Sequence, residues 1–224
     1  MTCICPEMGI NQWIYLGTSG KTIDKIKSNW IRLVNEDDCV LIPGDISWAM
    51  KLDDAIDDLN QIGELPGRKI IIRGNHDYWW SSISRVRRVL PLSMYALQND
   101  SIQLEGIGFC GSRGWIAPGS RDYTAHDQKI FNRELNRMKL SLESVKGKGA
   151  EEIIVLLHYP PFDDKGQPTE MNELLRSYPV SHVVYGHLHG EPYNGVVEGE
   201  IDGINYHLTS CDYLNFIPKI ILEV

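Results

Sequence analysis

Helical and strand patterns alternate along most of the chain. Apolar residues three or four positions apart predict amphipathic helices, and short apolar runs bounded by Gly or Pro predict buried strands. The predicted helices cover residues 21–36, 52–62, 81–90, 127–145 and 170–176, and the predicted strands cover residues 38–42, 69–72, 102–110 (two strands around a Glu105-Gly106 turn), 153–157, 182–185, 204–208 and 217–224. Because helices and strands alternate up to residue 190 and strands dominate after it, the pattern predicts an α/β layered fold with an antiparallel part.

Length and the absence of a linker in the sequence favour one domain. The chain has 224 residues and contains no internal repeat, low-complexity tract or Ser/Pro-rich stretch. An α/β domain can reach about 250 residues, so we expect a single domain over residues 1–224. Residues 3–17 lack a clean buried-strand run, and we therefore interpret residues 1–20 as a divergent N-terminal segment.

Composition excludes several classes of protein. The chain has 22 Lys and Arg against 30 Asp and Glu, a net charge of −8. This argues against a general nucleic-acid coat, although a local basic patch stays open. No apolar run approaches the roughly 18 residues that span a bilayer, and the start of the sequence lacks the layout of a signal peptide. Five scattered Cys without a CxxC motif fit reduced thiols, so we expect a cytoplasmic protein with no membrane partner.

Four predicted strands end in loops that carry side chains able to bind metal. These side chains are Asp45, Asn75, His158, His187 and His189. In α/β sheets such loops form the ligand crevice, so distant residues can converge there. Asp45, Asn75, His158 and His187 together would offer a carboxylate, an amide and two imidazoles to one transition-metal ion, and His189 could serve a second ion.

Each of these motifs also has a purely structural explanation. Gly-Asn and Pro-Gly-Asp are common turn formers, and a single His such as His158 is more often a hydrogen-bonded structural residue. The structural explanation would need four strand-terminal loops to carry ligand-type residues by coincidence. We therefore favour a common site.

The motifs resemble the signature of the calcineurin-like metallophosphoesterase family, here of bacterial type. That signature is D-x-H, then G-D, then G-N-H-[DE], then a His, then G-H-x-H. The matching residues, in the same order, are Gly44-Asp45, Gly74-Asn75-His76-Asp77, His158 and Gly186-His187-Leu188-His189. The resemblance covers roughly residues 38–190. It implies a four-layer α-β-β-α sandwich with mixed sheets and a two-metal centre, for which Mn²⁺, Fe or Zn²⁺ are plausible ions.

The resemblance also implies a role for each site residue. Asp45 would bridge two metal ions, and Asn75, His158 and His187 would complete one site while His189 belongs to the other. His76 would stand near the scissile phosphate, and Asp77 would orient His76 and stabilise its charge. Two metal ions activate a water molecule and clamp the phosphoryl oxygens. His76 would then stabilise the developing charge or protonate the leaving group.

One element of the family signature is not found. No Asp-x-His precedes Asp45, so the second metal site keeps only Asp45 and His189 and one site is complete. Three explanations stay open: a late start or altered first segment, a divergent segment with the second site vacant, or other groups that fill it. We favour an altered N-terminus.

Other candidate residues surround these motifs. Arg113 lies in a Gly-rich loop after a predicted strand and is the candidate phosphate clamp. Trp48 and Trp79-Trp80 form either an aromatic wall over the substrate or a packing shelf under the loops. Asp58 and its acidic neighbours on the helix 52–62 are interpreted as a solvated face.

Two functions are compatible with the sequence. The favoured one is metal-dependent hydrolysis of a phosphorylated small molecule or another phosphoester, mono- or diester. The alternative is a catalytically impaired one-metal module that binds phosphate or a partner and has lost D-x-H. Substrate identity, native metal and oligomeric state stay open.

Overall fold

The computed structural model describes residues 2–5, 21–190 and 195–223. Its elements in chain order are β1 (Thr2–Cys5), α1 (Lys21–Leu33), β2 (Cys39–Ile42), α2 (Leu52–Gly63), β3 (Arg68–Ile71), α3 (Ile83–Val89), β4 (Met94–Ala96), β5 (Ser101–Leu104), β6 (Ile107–Ser112), α4 (Ala125–Lys146), β7 (Glu152–Leu157), α5 (Glu170–Arg176), β8 (Val180–Tyr185), β9 (Gly199–Ile201), β10 (Ile204–Leu208) and β11 (Lys219–Glu223). The chain divides into a first unit, Met1–Ala96 with Thr209–Val224, and a second unit, Leu97–Leu208. Within the described ranges, no helix is both long and apolar enough to span a membrane.

The first unit is built on a five-stranded sheet in the order β11-β1-β2-β3-β4. Strands β1 to β4 run parallel, and β11 pairs antiparallel with β1. The apolar faces of α1 and α2 cover this sheet: Ile26 and Trp30 from α1, and Leu59 and Ile62 from α2, are buried in one core with Ile42. The Trp30 indole also donates to the Pro66 carbonyl over 2.9 Å, which satisfies its buried N–H.

The second unit is built on a six-stranded mixed sheet in the order β5-β6-β7-β8-β10-β9. Its four central strands are parallel, and β5 and β9 pair antiparallel at the edges. Strands β5 and β6 form a hairpin whose turn residues, Glu105 and Gly106, have φ of +51° and +86°, as hairpin turns of matching twist require. Helix α4 buries Phe131, Met138 and Leu142.

The α/β class with mixed sheets is confirmed, and the predicted helices and strands lie where the hydrophobic pattern put them. The sequence missed three short strands, β1, β4 and β9. The interpretation of residues 3–17 was wrong for its first residues, because β1 pairs with β2 on one side and β11 on the other. Its apolar run ends at Pro6, too early for a periodic signal. Residues 6–20, the rest of the predicted divergent segment, lie outside the described residues.

Candidate active site

Two loops of the first unit begin side by side. Strands β2 and β3 are parallel with Ile42 opposite Ile71, and the Ile72 N–H donates to the Ile42 carbonyl over 3.3 Å. The loops that follow carry Asp45 and Gly74-Asn75-His76-Asp77. A Cβ added to Gly74 would lie 2.1 Å from Asp45 Oδ1, so a glycine is required for this close approach.

One buried carboxylate holds these two loops together. Asp77 Oδ2 accepts the N–H groups of Gly74 at 2.7 Å and Asp45 at 2.9 Å. Asp77 Oδ1 accepts those of Ile46 at 2.8 Å and Ser47 at 3.1 Å and the Trp79 indole at 2.9 Å. These five hydrogen bonds go to loop backbone and one indole, and none goes to the His76 ring. Asp77 therefore holds the loop backbone on which His76 is positioned.

Ionisation of the Asp77 side chain costs free energy because the carboxylate is buried. Its side chain is fully buried, and burial raises its pKa to about 6, with the neighbouring Asp45 carboxylate adding to the rise and the backbone N–H bonds opposing it. The two carboxylates sit in one loop cluster with no cation among the hydrogen-bond partners of Asp77. A bound metal ion beside Asp45 would relieve this repulsion.

Asp45 itself has a strained backbone. It is buried, its φ is +53°, and its Oδ1 accepts the His76 N–H over 2.8 Å. A non-glycine residue in the left-handed region costs free energy and is concentrated at functional sites. Its carboxylate is thus set by the loop rather than by a favourable local conformation.

Two aromatic residues hold the His76 ring. The Trp48 indole stacks on it with centroids 4.4 Å apart and planes 14° apart. The Tyr78 hydroxyl lies 3.2 Å from Nδ1, which leaves Nε2 as the ring nitrogen for a ligand. Trp79 and Trp80 are buried in the core, as a packing shelf requires, whereas Trp48 contacts the candidate catalytic ring.

The predicted solvated face of α2 was wrong at Asp58. Asp58 is buried and accepts the Ser47 hydroxyl over 2.5 Å. Desolvation raises the pKa of Asp58, and the Ser47 hydrogen bond counteracts the rise. The helix thus anchors the same loop that carries Asp45.

Three loops leave the same edge of the sheet in the second unit. Ser112 of β6 is opposite Leu157 of β7, which is opposite Tyr185 of β8, all in parallel register. The N–H groups of His158 and Tyr159 donate to the Arg113 carbonyl over 3.1 and 2.9 Å. The Gly186 N–H donates to the His158 carbonyl over 3.2 Å.

This edge brings His158 and His187 together. The rings of His158 and His187 have centroids 5.1 Å apart, and Tyr159 packs 4.0 Å from His187. His158 is fully buried, and His187 has a φ of +70°, a second strained backbone at a predicted ligand. His189 follows in the same loop and is half-buried.

Arg113 lies among other charged groups of the second unit. Its guanidinium covers the Trp115 ring at 4.5 Å and lies 3.7 Å from buried Glu134. Glu134 also pairs with Arg137 at 2.7 Å and Arg133 at 3.9 Å. Three guanidinium groups around one carboxylate leave an excess of positive charge, which is compatible with an anion at Arg113.

The predicted ligands are divided between the units. Asp45 and Asn75 lie in loops of the first unit, and His158, His187 and His189 lie in loops of the second. Carboxylate, amide and imidazole groups are donor types that Mn²⁺, Fe and Zn²⁺ accept. Taken over residues 2–5, 21–190 and 195–223, no three His, Cys, Asp or Glu side chains form a preassembled metal-binding group.

Sequence reasoning missed three residues next to the predicted ones. Tyr78 contacts His76, Tyr159 packs on His187, and Asp163 lines a cavity beside His187. Tyr78 and Tyr159 each follow a motif residue directly or by two positions, and that proximity was the available signal. No such signal exists in the sequence for Asp163, because its environment depends on how the loop after β7 folds back.

Comparisons with known proteins bear on the family and the fold. The profile of the calcineurin-like phosphoesterase family matches residues 17–191. The protein of unknown function AQ665 from Aquifex aeolicus has a similar structure, with 15% identity, a TM-score of 0.53 and coverage of 97% of this chain and 94% of its own. The phosphopantetheinyl hydrolase PptH from Mycobacterium tuberculosis has 13% identity, a TM-score of 0.57 and coverage of 93% and 88%. At such identities the similarity shows the fold alone. Among curated proteins, none matches.

Proposed function

Because the chain belongs to the calcineurin-like phosphoesterase family, we propose that it hydrolyses a phosphoester with water and bound divalent metal ions. The observation that carries the proposal is the loop cluster of the first unit, where Gly74 and Asp77 hold Asp45 and His76 in fixed positions. A similar structure is named a hydrolase of phosphopantetheinyl groups, which is compatible with this reaction class.

The proposed ligands follow the donor chemistry. Asp45, Asn75, His158 and His187 would hold one ion, and Asp45 and His189 would contribute to a second. Mn²⁺, Fe and Zn²⁺ suit these donors. When bound, the ions supply Lewis acidity that polarises the phosphoryl group and makes water a nucleophile at neutral pH.

The protein residues have separate tasks in this proposal. His76 presents Nε2 to the leaving-group oxygen and donates a proton as that oxygen departs. Trp48 and Tyr78 fix the plane and rotation of its ring. Arg113 contributes positive charge toward the anionic substrate. The buried Cys110, which forms no disulfide, is compatible with the proposal of a reducing, cytoplasmic location.

The test is hydrolysis of bis(p-nitrophenyl) phosphate and p-nitrophenyl phosphate by protein loaded with Mn²⁺, Fe²⁺ or Zn²⁺. We expect turnover with at least one ion. On an alkyl phosphoester, whose poor leaving group needs the proton, we expect His76→Ala to lower kcat by about 10²- to 10⁴-fold because the general acid is lost. His126→Ala changes an exposed histidine outside every motif and should leave kcat unchanged.

The alternative function makes the opposite prediction. The sequence holds no Asp-x-His before Asp45, which favours a one-metal module that binds phosphate without turnover. Metal analysis separates the two: phosphate binding at one ion per chain with no hydrolysis under any of the three metals supports the module and refutes the enzyme.

A further inference from the structure

A cavity of about 190 Å³ lies in the second unit beside His187. Its walls are mainly apolar and aromatic and include Trp115, Tyr159, Phe162 and His187, together with the carboxylates of Asp163 and Asp164. Sites for drug-sized ligands occupy about 300–1,000 Å³. This cavity is smaller, so it suits one ring system of a ligand whose remainder lies outside.

The aromatic wall is rigid. The rings of Trp115 and Tyr159 have centroids 5.3 Å apart and planes 44° apart. The Trp115 indole donates to Asp127 Oδ1 over 2.9 Å, and Tyr159 packs on His187 at 4.0 Å. Fixed aromatic faces favour stacking with a flat ligand, because little side-chain entropy is lost on binding.

A buried carboxylate faces this apolar space. Asp163 is only 7% exposed, and its Oδ1 accepts the N–H groups of Lys165 at 2.9 Å and Gln167 at 2.8 Å. Its Oδ2 accepts no hydrogen bond from the part of the chain that the structure describes. A Cβ on Gly119 would lie 2.9 Å from that Oδ2, so the absence of a side chain there keeps the oxygen accessible.

The charge of the lining selects the ligand further. Asp163 and Asp164 both line the cavity, and no Lys or Arg is found among its described lining residues. A second phosphate would be repelled, while an N–H donor could pair with the accessible Oδ2 of Asp163. A flat ring that carries N–H groups meets both requirements.

We propose that this cavity binds a heteroaromatic ring with an N–H donor, of the size of a nucleobase, as the organic part of the phosphoester. The inference rests on the proposed function, since it describes the substrate of the same protein. It assigns the stacking to Trp115 and Tyr159 and the hydrogen bond to Asp163 Oδ2.

The test is calorimetric titration of the full-length chain with nucleosides, which contain no phosphoester and are not turned over. The probes are adenosine, purine riboside, which lacks only the amine, and pantetheine, which has no aromatic ring. We expect adenosine to bind about tenfold more tightly than purine riboside, because a charge-assisted hydrogen bond is lost. Pantetheine should bind more weakly than either.

Two variants and one control sharpen the test. Asp163→Asn keeps an oxygen for the Lys165 and Gln167 amides and places a donor where Oδ2 was, so the preference for adenosine should disappear. Trp115→Ala should weaken both nucleosides by about tenfold through lost stacking. Asp122→Asn alters an exposed carboxylate of the same unit and should change neither affinity.

The outcomes separate this inference from the proposed function. Equal binding of the three probes, or affinities that Trp115→Ala and Asp163→Asn leave unchanged, would overturn the cavity assignment even if p-nitrophenyl esters are hydrolysed. Binding with the expected preferences in a protein that hydrolyses no ester would support the cavity and refute the enzyme.

Discussion

At the scale of single residues, the candidate site depends on where side chains are absent as much as on where they are present. Gly74 has no Cβ, and Asp45 occupies the space that a Cβ would take. The two motifs that the sequence shows as separate Gly-Asp and Gly-Asn-His-Asp are therefore one structural unit. Its closure by the Asp77 carboxylate is a matter of backbone N–H directions, which residue types do not encode.

Replacing Gly74 with Ala tests this close approach. The added methyl group would lie 2.1 Å from Asp45 Oδ1 and 2.3 Å from its backbone N, so Asp45 has to move. We expect kcat/KM for a p-nitrophenyl ester to fall by about 10²-fold or more, as displacement of a catalytic group by about 1 Å does. Gly147→Ala is the control, because a Cβ there meets nothing closer than 3.6 Å. Equal activity of the two variants would contradict the close approach.

Replacing Tyr78 with Phe tests how His76 is positioned. The change removes the hydroxyl 3.2 Å from Nδ1, so the ring should lose its preferred tautomer, which ¹⁵N NMR of the imidazole reports. Loss of proton donation should slow an alkyl ester more than a p-nitrophenyl ester, because the poorer leaving group needs the proton. Tyr95→Phe, in β4, is the matched control. An unchanged tautomer ratio in Tyr78→Phe would rule out the positioning role.

At the scale of elements, the sequence predicted most of what carries the candidate ligands. Strands β2, β3, β7 and β8 have apolar runs that end at Pro, at Gly or at a polar residue, and these ends mark the loops. Strands β4 and β9 have only three residues, and β1 has four of which the first is polar. Their pairing comes from neighbouring strands rather than from their own pattern. Asp58 was misread because the helical pattern cannot show that Ser47 of a preceding loop would cover it.

Strand β3 carries a buried lysine that links it to the end of α2. Lys69 Nζ donates to the Gly63 carbonyl over 3.1 Å, to the Leu65 carbonyl, and to Ser93 Oγ over 3.4 Å. Burial lowers the pKa of Lys69 to about 8 from its ordinary 10.5. The folded state therefore binds fewer protons than the unfolded state between these two values, and the free energy of unfolding rises with pH across that window.

Urea unfolding of Lys69→Met and the parent chain measures this contribution. Met has no titrating group, so the stability of the parent chain relative to the variant should increase as the pH goes from about 8 to about 10. Lys51→Met, at an exposed position, should give a difference that does not vary with pH in this range. A pH-independent difference for Lys69→Met would mean that Lys69 titrates normally.

At the scale of the whole molecule, the family and the α/β class could be predicted because the motifs lie at the ends of strands with strong hydrophobic signals. The arrangement of the individual loops could not be predicted from the sequence. The cavity beside His187 is assembled from Trp115 in the loop after β6 and from Tyr159 and Asp163 in the loop after β7, and no local pattern joins these two loops. The net charge of −8 now includes two buried acids, Asp45 and Asp77, that a bound cation would offset.

The anchoring of the Asp45 loop by main-chain amides also limits which amino acids are tolerated at positions 46 and 47. Asp77 recognises the N–H groups of Ile46 and Ser47, not their side chains, so this anchor is indifferent to nineteen amino acids. Proline alone lacks the amide hydrogen. A substitution by proline at either position would remove its hydrogen bond to Asp77, whatever the new side chain contributes to packing.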